Sequence, residues 1–144
     1  MGRIIICDLD GTLCNCEHRL HLANSKNWDK FNAACVDDPV NEDIANILRG
    51  LHSRNTKIYI VSGRTDNFKK ETKDWLFLND IPCDKLFMRK EGDHRSDSHV
   101  KEDILIKDIK DNPNIWFVLD DRQSVVDMWR DNGLRCLQVQ RGDF

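Results

Sequence analysis

The sequence predicts a doubly wound, Rossmann-like α/β domain: a mostly parallel sheet with helices on both faces and a minimal cap. Three observations predict it. Short apolar runs rich in Ile and Val alternate with stretches of helical period. Four of those runs end in polar or charged residues, as expected where strands of an open sheet meet a ligand. No internal repeat, linker or low-complexity stretch interrupts the alternation, so residues 1–144 read as one layered domain.

Taken in order, Ile4 to Cys7 reads as the first strand and runs into Asp8, Asp10, Gly11 and Thr12. Asn41 to Ser53 follows as a helix that puts Ile44, Ile47, Leu48 and Leu51 on one face, with Asn41 as its cap and Pro39 just upstream. Lys57 to Val61 is the next strand. Ser62, Gly63 and Arg64 then turn into a helix that shows Phe68, Trp75 and Leu76 to a core. Lys85 to Met88 is a third strand, and Val100 to Lys110 a helix with Val100, Ile104, Leu105 and Ile109 on one side, stopped before Pro113. Ile115 to Leu119 reads as a buried strand. Gln123 to Asn132 presents Val125, Val126 and Trp129 and stops at Asn132 and Gly133, and Arg135 to Gln140 closes the sheet.

Composition narrows the function. A chain of 144 residues with 40% hydrophobic and 33% charged residues can bury one core beneath a solvated surface, which argues against disorder and membrane spanning. A formal charge of -3 is far from the basic balance of a protein that coats nucleic acid, so any such contact is local. No charged leader with an apolar stretch precedes Ile4, so the six cysteines are expected as free thiols in a reducing cytosol. Cys14 and Cys16, with His18 and His21 nearby, could seed a metal site, although no second pair at zinc-finger spacing follows.

The strand ends should share one rim. Asp8, Asp10, Asp120 and Asp121 brought together there repel one another unless a cation sits between them, and a hard oxygen-only site suits magnesium. Lys101, Arg64 and the Thr12 and Ser62 hydroxyls would then suit a phosphate. Singly, each is an ordinary turn, cap or solvated residue, and the weight lies in the constellation.

Asp8-Leu9-Asp10-Gly11-Thr12 resembles the opening motif of the haloacid dehalogenase superfamily of phosphotransferases; Ser62, Lys101 and Asp120-Asp121 resemble its second, third and fourth motifs in order. VSGR at 61–64, MRKEGDHRSD at 88–97 and the tail from Asp120 are similar to the 3′-phosphatase domain of phage-type polynucleotide kinase-phosphatases. No G-x-x-x-x-G-K-[ST] run is present, so no kinase domain is expected.

The resemblance implies a magnesium-dependent phosphatase acting on nucleic-acid 3′ ends, DNA or RNA; the cytosol expected from the cysteines includes a host cytosol for a phage or viral product. A separate kinase or ligase is an expected partner. A phosphatase of small nucleotides or sugar phosphates is the alternative. Asp8 would be the nucleophile and Asp10 the acid and base. Magnesium would be held by Asp8, the Asp10 carbonyl and Asp121, with Asp120 either ligating or orienting Lys101. Thr12, Ser62 and the amides around Leu9 and Gly63 would hold the phosphoryl oxygens. Arg19, Arg64, Arg89 and Arg95 are expected phosphate or backbone contacts, with a surface salt bridge as the other reading of Arg19 and Arg89. Asp97 either pins Lys101 or is a helix-start acid. Residues 14–38 form the small lid and leave the pocket open to polymer ends. Trp28 and Phe31 within it are read as core residues, with stacking on a terminal base as the alternative.

Overall fold

The computed structural model describes residues 2–143. Five parallel strands, β1 (Arg3–Cys7), β2 (Thr56–Thr65), β3 (Lys85–Arg89), β4 (Ile115–Asp120) and β5 (Cys136–Gln138), lie in the order β3-β2-β1-β4-β5. Each interior strand reads as a nearly unbroken apolar run because both faces of the sheet are covered. Alternate residues serve opposite cores: Ile5, Ile58, Ile60 and Leu119 meet Ile44, Leu48, Trp75 and Leu76 on one side. Ile4, Ile6, Tyr59 and Val118 meet Leu105, Ile109, Val125 and Trp129 on the other. The doubly wound expectation therefore holds, and the sheet is wholly parallel.

Residues 14–38, the expected lid, carry two short helices, α1 (Leu20–Asn24) and α2 (Trp28–Ala33), followed by α3 (Glu42–His52), α4 (Lys69–Leu78), α5 (Asp97–Ile104) and α6 (Gln123–Asp131). A π turn at Leu105–Ile109 extends α5 and keeps Leu105 and Ile109 both inward. The α6 stop is as expected, with Gly133 at φ 81°, a backbone region that suits glycine.

Several elements depart from expectation. Strand β2 does not turn at Ser62 but continues through Thr65, because β3 stays paired to it up to Arg89, with a register shift between Ser62 and Thr65. Gly63 sits in that shift, and a Cβ there would collide with the Asp97 carboxylate. Asn41 stands at the start of α3 without capping it; its side-chain amide donates instead to the Thr12 carbonyl (2.8 Å), tying the helix to the loop after β1. Ile47 is 40% exposed rather than core, at the edge of the α3 apolar stripe. Among the described residues no helix is long and apolar enough to cross a membrane, and all six cysteines are free.

Candidate active site

Winding outward from β1 in both directions places a switch point between β1 and β4, where the connections that follow the two strands leave in opposite senses and open a crevice. Asp8 leaves the end of β1, its amide held by the Leu119 carbonyl (3.0 Å), while Asp120 ends β4 and Asp121 follows it. The three carboxylates bring ligand oxygens within 4.8 Å of one another, and all three residues are buried. Lys101, reaching in from α5, donates to Asp8 Oδ1 (2.8 Å) and Asp120 Oδ2 (3.1 Å). Thr12 donates to Asp8 Oδ2 (3.1 Å) and lies 3.4 Å from Asp121 Oδ1.

Asp120 is committed on both oxygens. Besides Lys101, its Oδ2 accepts from the Trp129 indole (3.1 Å), and its Oδ1 accepts from the Asp121 amide (2.9 Å). Asp121 presses its carboxylate against Gly11, where φ is 85° and a Cβ would collide with Asp121 Oδ2. Burial first, and the neighbouring Asp120 second, push both the Asp8 and Asp121 carboxyls upward against the pull of Lys101. Burial works against the Lys101 ammonium, but Asp120 and Asp8 outweigh it and raise it. Three carboxylates against one ammonium leave this cluster short of positive charge. An oxygen-only donor set with that deficit fits a hard divalent cation such as Mg2+.

Asp10 does not join the other carboxylates. It turns toward the lid, where Arg19 Nη2 (2.6 Å) and Arg64 Nη2 (2.7 Å) both donate to its Oδ1. Burial pushes the Asp10 carboxyl up, yet Arg64 and Arg19 outweigh it and bring it down to about 2. Both arginines also reach Asp38: Arg19 as a fork at 2.8 and 2.6 Å, Arg64 at 3.5 Å. His18 (2.7 Å) completes the Asp38 carboxylate, and the Trp75 indole donates to the Asp38 carbonyl (2.9 Å). Arg19 is thus a buried member of the site, not a surface salt bridge. Asp10, Cys14 and Asp38 form a second group of ligand atoms, but the guanidiniums already supply its positive charge, with Arg64 donating to Cys14 Sγ at 3.4 Å. Among the described residues His18 and His21 join neither ligand group.

The other expected residues fall at mixed distances from this centre. Ser62 is buried at its rim, its oxygen accepting the Arg64 amide (3.1 Å). Arg89 props the wall: it donates to the Gly63 (2.8 Å), Asp93 (3.0 Å) and Arg95 (2.6 Å) carbonyls and to Asp97 Oδ1 (2.6 Å). Asp97 opens α5 but bridges Arg89 and Arg122 (2.9 Å) rather than hydrogen-bonding Lys101, since its carboxylate lies over Gly63. Arg95 is 51% exposed and paired with Asp93 and Asp103 at 2.9 and 2.7 Å, outside the acidic crevice. Of the two lid aromatics, Phe31 is buried and Trp28 is not.

Asp38 and Trp129 are the site residues that sequence reading left out. Asp38 precedes Pro39 and looks like an ordinary turn acid, and Trp129 looks like pure core. The one available signal for Asp38 was an excess of buried-type arginine candidates, Arg19 and Arg64, needing a counter-charge.

Residues 2–144 match the family model of the polynucleotide kinase PNKP phosphatase domain. A protein of Autographa californica nuclear polyhedrosis virus assigned as a bifunctional polynucleotide kinase/RNA ligase is 30% identical over 131 residues, 90% of this chain and 18% of that protein. Two solved structures of Pnkp1/Rnl/Hen1 complexes contain chains that superpose with a TM-score of 0.86 at 32% and 33% identity, covering 99% of this chain and 48% and 44% of theirs. The chain therefore spans less than half the length of each of these relatives. The class C acid phosphatase of Bacillus anthracis shares the fold, with a TM-score of 0.72 at 14% identity over 100% of this chain and 69% of that one.

Proposed function

Because the chain belongs to the family of polynucleotide kinase PNKP phosphatase domains, phosphomonoester hydrolases of the haloacid dehalogenase superfamily, we propose that it removes the terminal phosphate from nucleic-acid 3′ ends, DNA or RNA, with Mg2+ and a covalent aspartyl-phosphate. The observation that carries this reading is the Asp8 carboxylate at the end of β1, 2.8 Å from the Lys101 ammonium and sharing ligand reach with Asp120 and Asp121. In that position it can attack phosphorus while cations take up the phosphoryl charge.

Asp8, Asp121 and the Asp10 carbonyl would hold the ion. Asp120, with Lys101 and Trp129 on one oxygen and the Asp121 amide on the other, serves chiefly to orient Lys101. When bound, Mg2+ neutralises the crowded carboxylates and polarises the phosphoryl group. Thr12, Ser62 and the Leu9 and Gly63 amides take the phosphoryl oxygens. The Ser62 oxygen already accepts from Arg64, so its own proton is the one to offer.

In the first half-reaction an Asp8 oxygen bonds to phosphorus, the bond from phosphorus to the ribose 3′ oxygen breaks, and Asp10 gives that oxygen a proton. In the second, Asp10 takes a proton from water as the water attacks the same phosphorus, releasing phosphate and restoring Asp8. Beside Arg19 and Arg64 the Asp10 carboxyl is held down at about 2 and is a base only. To act as the acid it must swing off the guanidiniums toward the leaving oxygen, where losing their field lets its pKa rise. Arg19, Arg64 and Asp38 are therefore positioning residues for Asp10. Arg89 and Asp97 hold the Gly63 wall, and Arg95, on the rim beyond, reaches only the nucleic-acid backbone.

Residues 1–144 act as one phosphatase unit in the cytosol, phage or viral products included. The 5′-kinase and ligase steps of end repair fall to other domains or chains, in keeping with relatives that occur in an RNA repair complex.

The test is phosphate release from a 3′-phosphorylated oligonucleotide beside a 3′-mononucleotide and para-nitrophenyl phosphate, with Mg2+ or EDTA, for wild type and Asp8→Asn. Oligonucleotide preference, abolished by EDTA and by Asp8→Asn, is the expected result. Equal or better turnover of the mononucleotide would replace the polynucleotide substrate with a small one.

A further inference from the structure

We infer that Trp28 is the stacking platform for a base at or next to the 3′ end of the substrate strand, an inference that rests on the polynucleotide reading above. Trp28 begins α2 with 52% of its surface exposed. Asn27 caps the helix by accepting the Lys30 amide (3.4 Å), which fixes the backbone that carries the ring.

Phe31 meets the Trp28 ring edge to face, with centroids 5.6 Å apart and planes at 89°. Phe31 is buried because the Arg19 guanidinium lies over its ring at 4.2 Å and donates to its carbonyl at 2.9 Å. The same guanidinium holds Asp10 at 2.6 Å. One phenyl ring and one guanidinium therefore separate an exposed, rigidly propped indole from the carboxylate that handles the leaving oxygen. Lys26 and Lys30 are exposed in the same segment, and an aromatic face with cations on the same surface is the usual means of holding single strands, since every base has a π-face.

Other exposed aromatics do not compete. Trp116 has the Arg3 guanidinium over its ring at 4.3 Å and Phe117 against it at 5.1 Å. Phe77, 84% exposed, lies near the end of α4, which runs from the carboxyl ends of the strands back toward their beginnings, so it faces the opposite rim.

The experiment compares wild type, Trp28→Ala and Trp28→Phe on a single-stranded 3′-phosphorylated oligonucleotide, on the same strand with abasic residues at its last two positions, and on para-nitrophenyl phosphate. Trp28→Ala should raise KM for the intact strand about tenfold while kcat stays within about twofold. Para-nitrophenyl phosphate turnover should not change, Trp28→Phe should recover most of the affinity, and the abasic strand should erase the difference between variants. An unchanged oligonucleotide KM in Trp28→Ala, with wild type turning that strand over normally, would overturn the stacking inference alone. So would an equal loss on para-nitrophenyl phosphate, which would mark Trp28 as a structural residue. Wild type that cleaves the small ester but no oligonucleotide would sink the substrate reading and the platform with it.

Discussion

Asp8 and Asp10 are two residues apart and live in opposite electrostatic worlds. On the sheet side, Asp8, Asp120 and Asp121 share one ammonium, Lys101, and the Asp8 and Asp121 carboxyls are pushed up by burial and by Asp120. On the lid side, Asp10 and Asp38 share two guanidiniums, and Asp10 is held down at about 2. The sheet-side cluster carries carboxylate repulsion that a bound cation would relieve, while in the lid-side cluster the guanidiniums already balance the carboxylates. On the proposed reading, the nucleophile and the ion fall where positive charge is missing, and the acid and base is held where charge is already matched.

The sharpest way to break this contrast is Asp8→Asn. Removing the proposed nucleophile should cut phosphate release from any substrate by about a thousandfold or more, measured under saturating Mg2+. If turnover survives, the sheet-side cluster is not the reacting one.

Disturbing the balanced side should register in stability before chemistry. Asp38→Ala removes the fork partner of the buried Arg19 guanidinium, leaves Arg19 and Arg64 to share Asp10 alone, and should cost about 3–5 kcal/mol in denaturant unfolding. The same substitution at exposed Asp74, paired with Lys70, should change stability by no more than about 0.5 kcal/mol. Equal costs at the two sites would mean that the lid network is not a stabilising unit.

A subtler contrast concerns the ion. Mg2+ should raise the melting temperature of wild type, by an amount corresponding to about 2.7 kcal/mol at a hundred times Kd. Asp121→Asn should lose most of that gain. Without Mg2+, Asp8→Asn should melt above wild type, because the neutral amide relieves a buried carboxylate.

The smallest effect is the pH dependence, where the two sides have opposite signs. Asp10 has its folded pKa below its unfolded value, so its contribution is full at neutral pH and fades as pH falls from about 4 toward about 2. Asp8 has its folded pKa above its unfolded value, so its ionisation costs stability as pH rises through the folded value. In acid unfolding curves, Asp10→Asn should flatten the acid limb. Asp8→Asn should instead remove a loss of stability on the neutral side, measured without Mg2+.

Much of this arrangement was legible in the chain because it follows from local order. A strand ending in Asp8-Leu9-Asp10-Gly11-Thr12, a strand leading to Ser62 and a strand leading to Asp120-Asp121 must present those residues on one rim once the strands lie parallel. Helix faces such as Val125, Val126 and Trp129 were equally plain from their period. The split between Asp8 and Asp10 was not legible, because four clustered carboxylates suggest one site until the guanidiniums that divide them are located. Of the two readings of Asp97, the helix-start acid is the one the structure bears out; its partners Arg89 and Arg122 come from β3 and the loop after β4, which spacing along the chain does not show. Trp28 and Phe31 look alike in sequence, yet only Phe31 has a cation above its ring.

By itself, the sequence determined the layers, the rim and the identity of the groups that collect there, since alternation and period depend only on neighbours along the chain. Which carboxylate receives which cation was decided by the tertiary structure alone. Arg19, Asp38 and Arg64 are distant in sequence, and a buried charge takes its pKa from whatever lies within a few ångströms, not from its place in the chain.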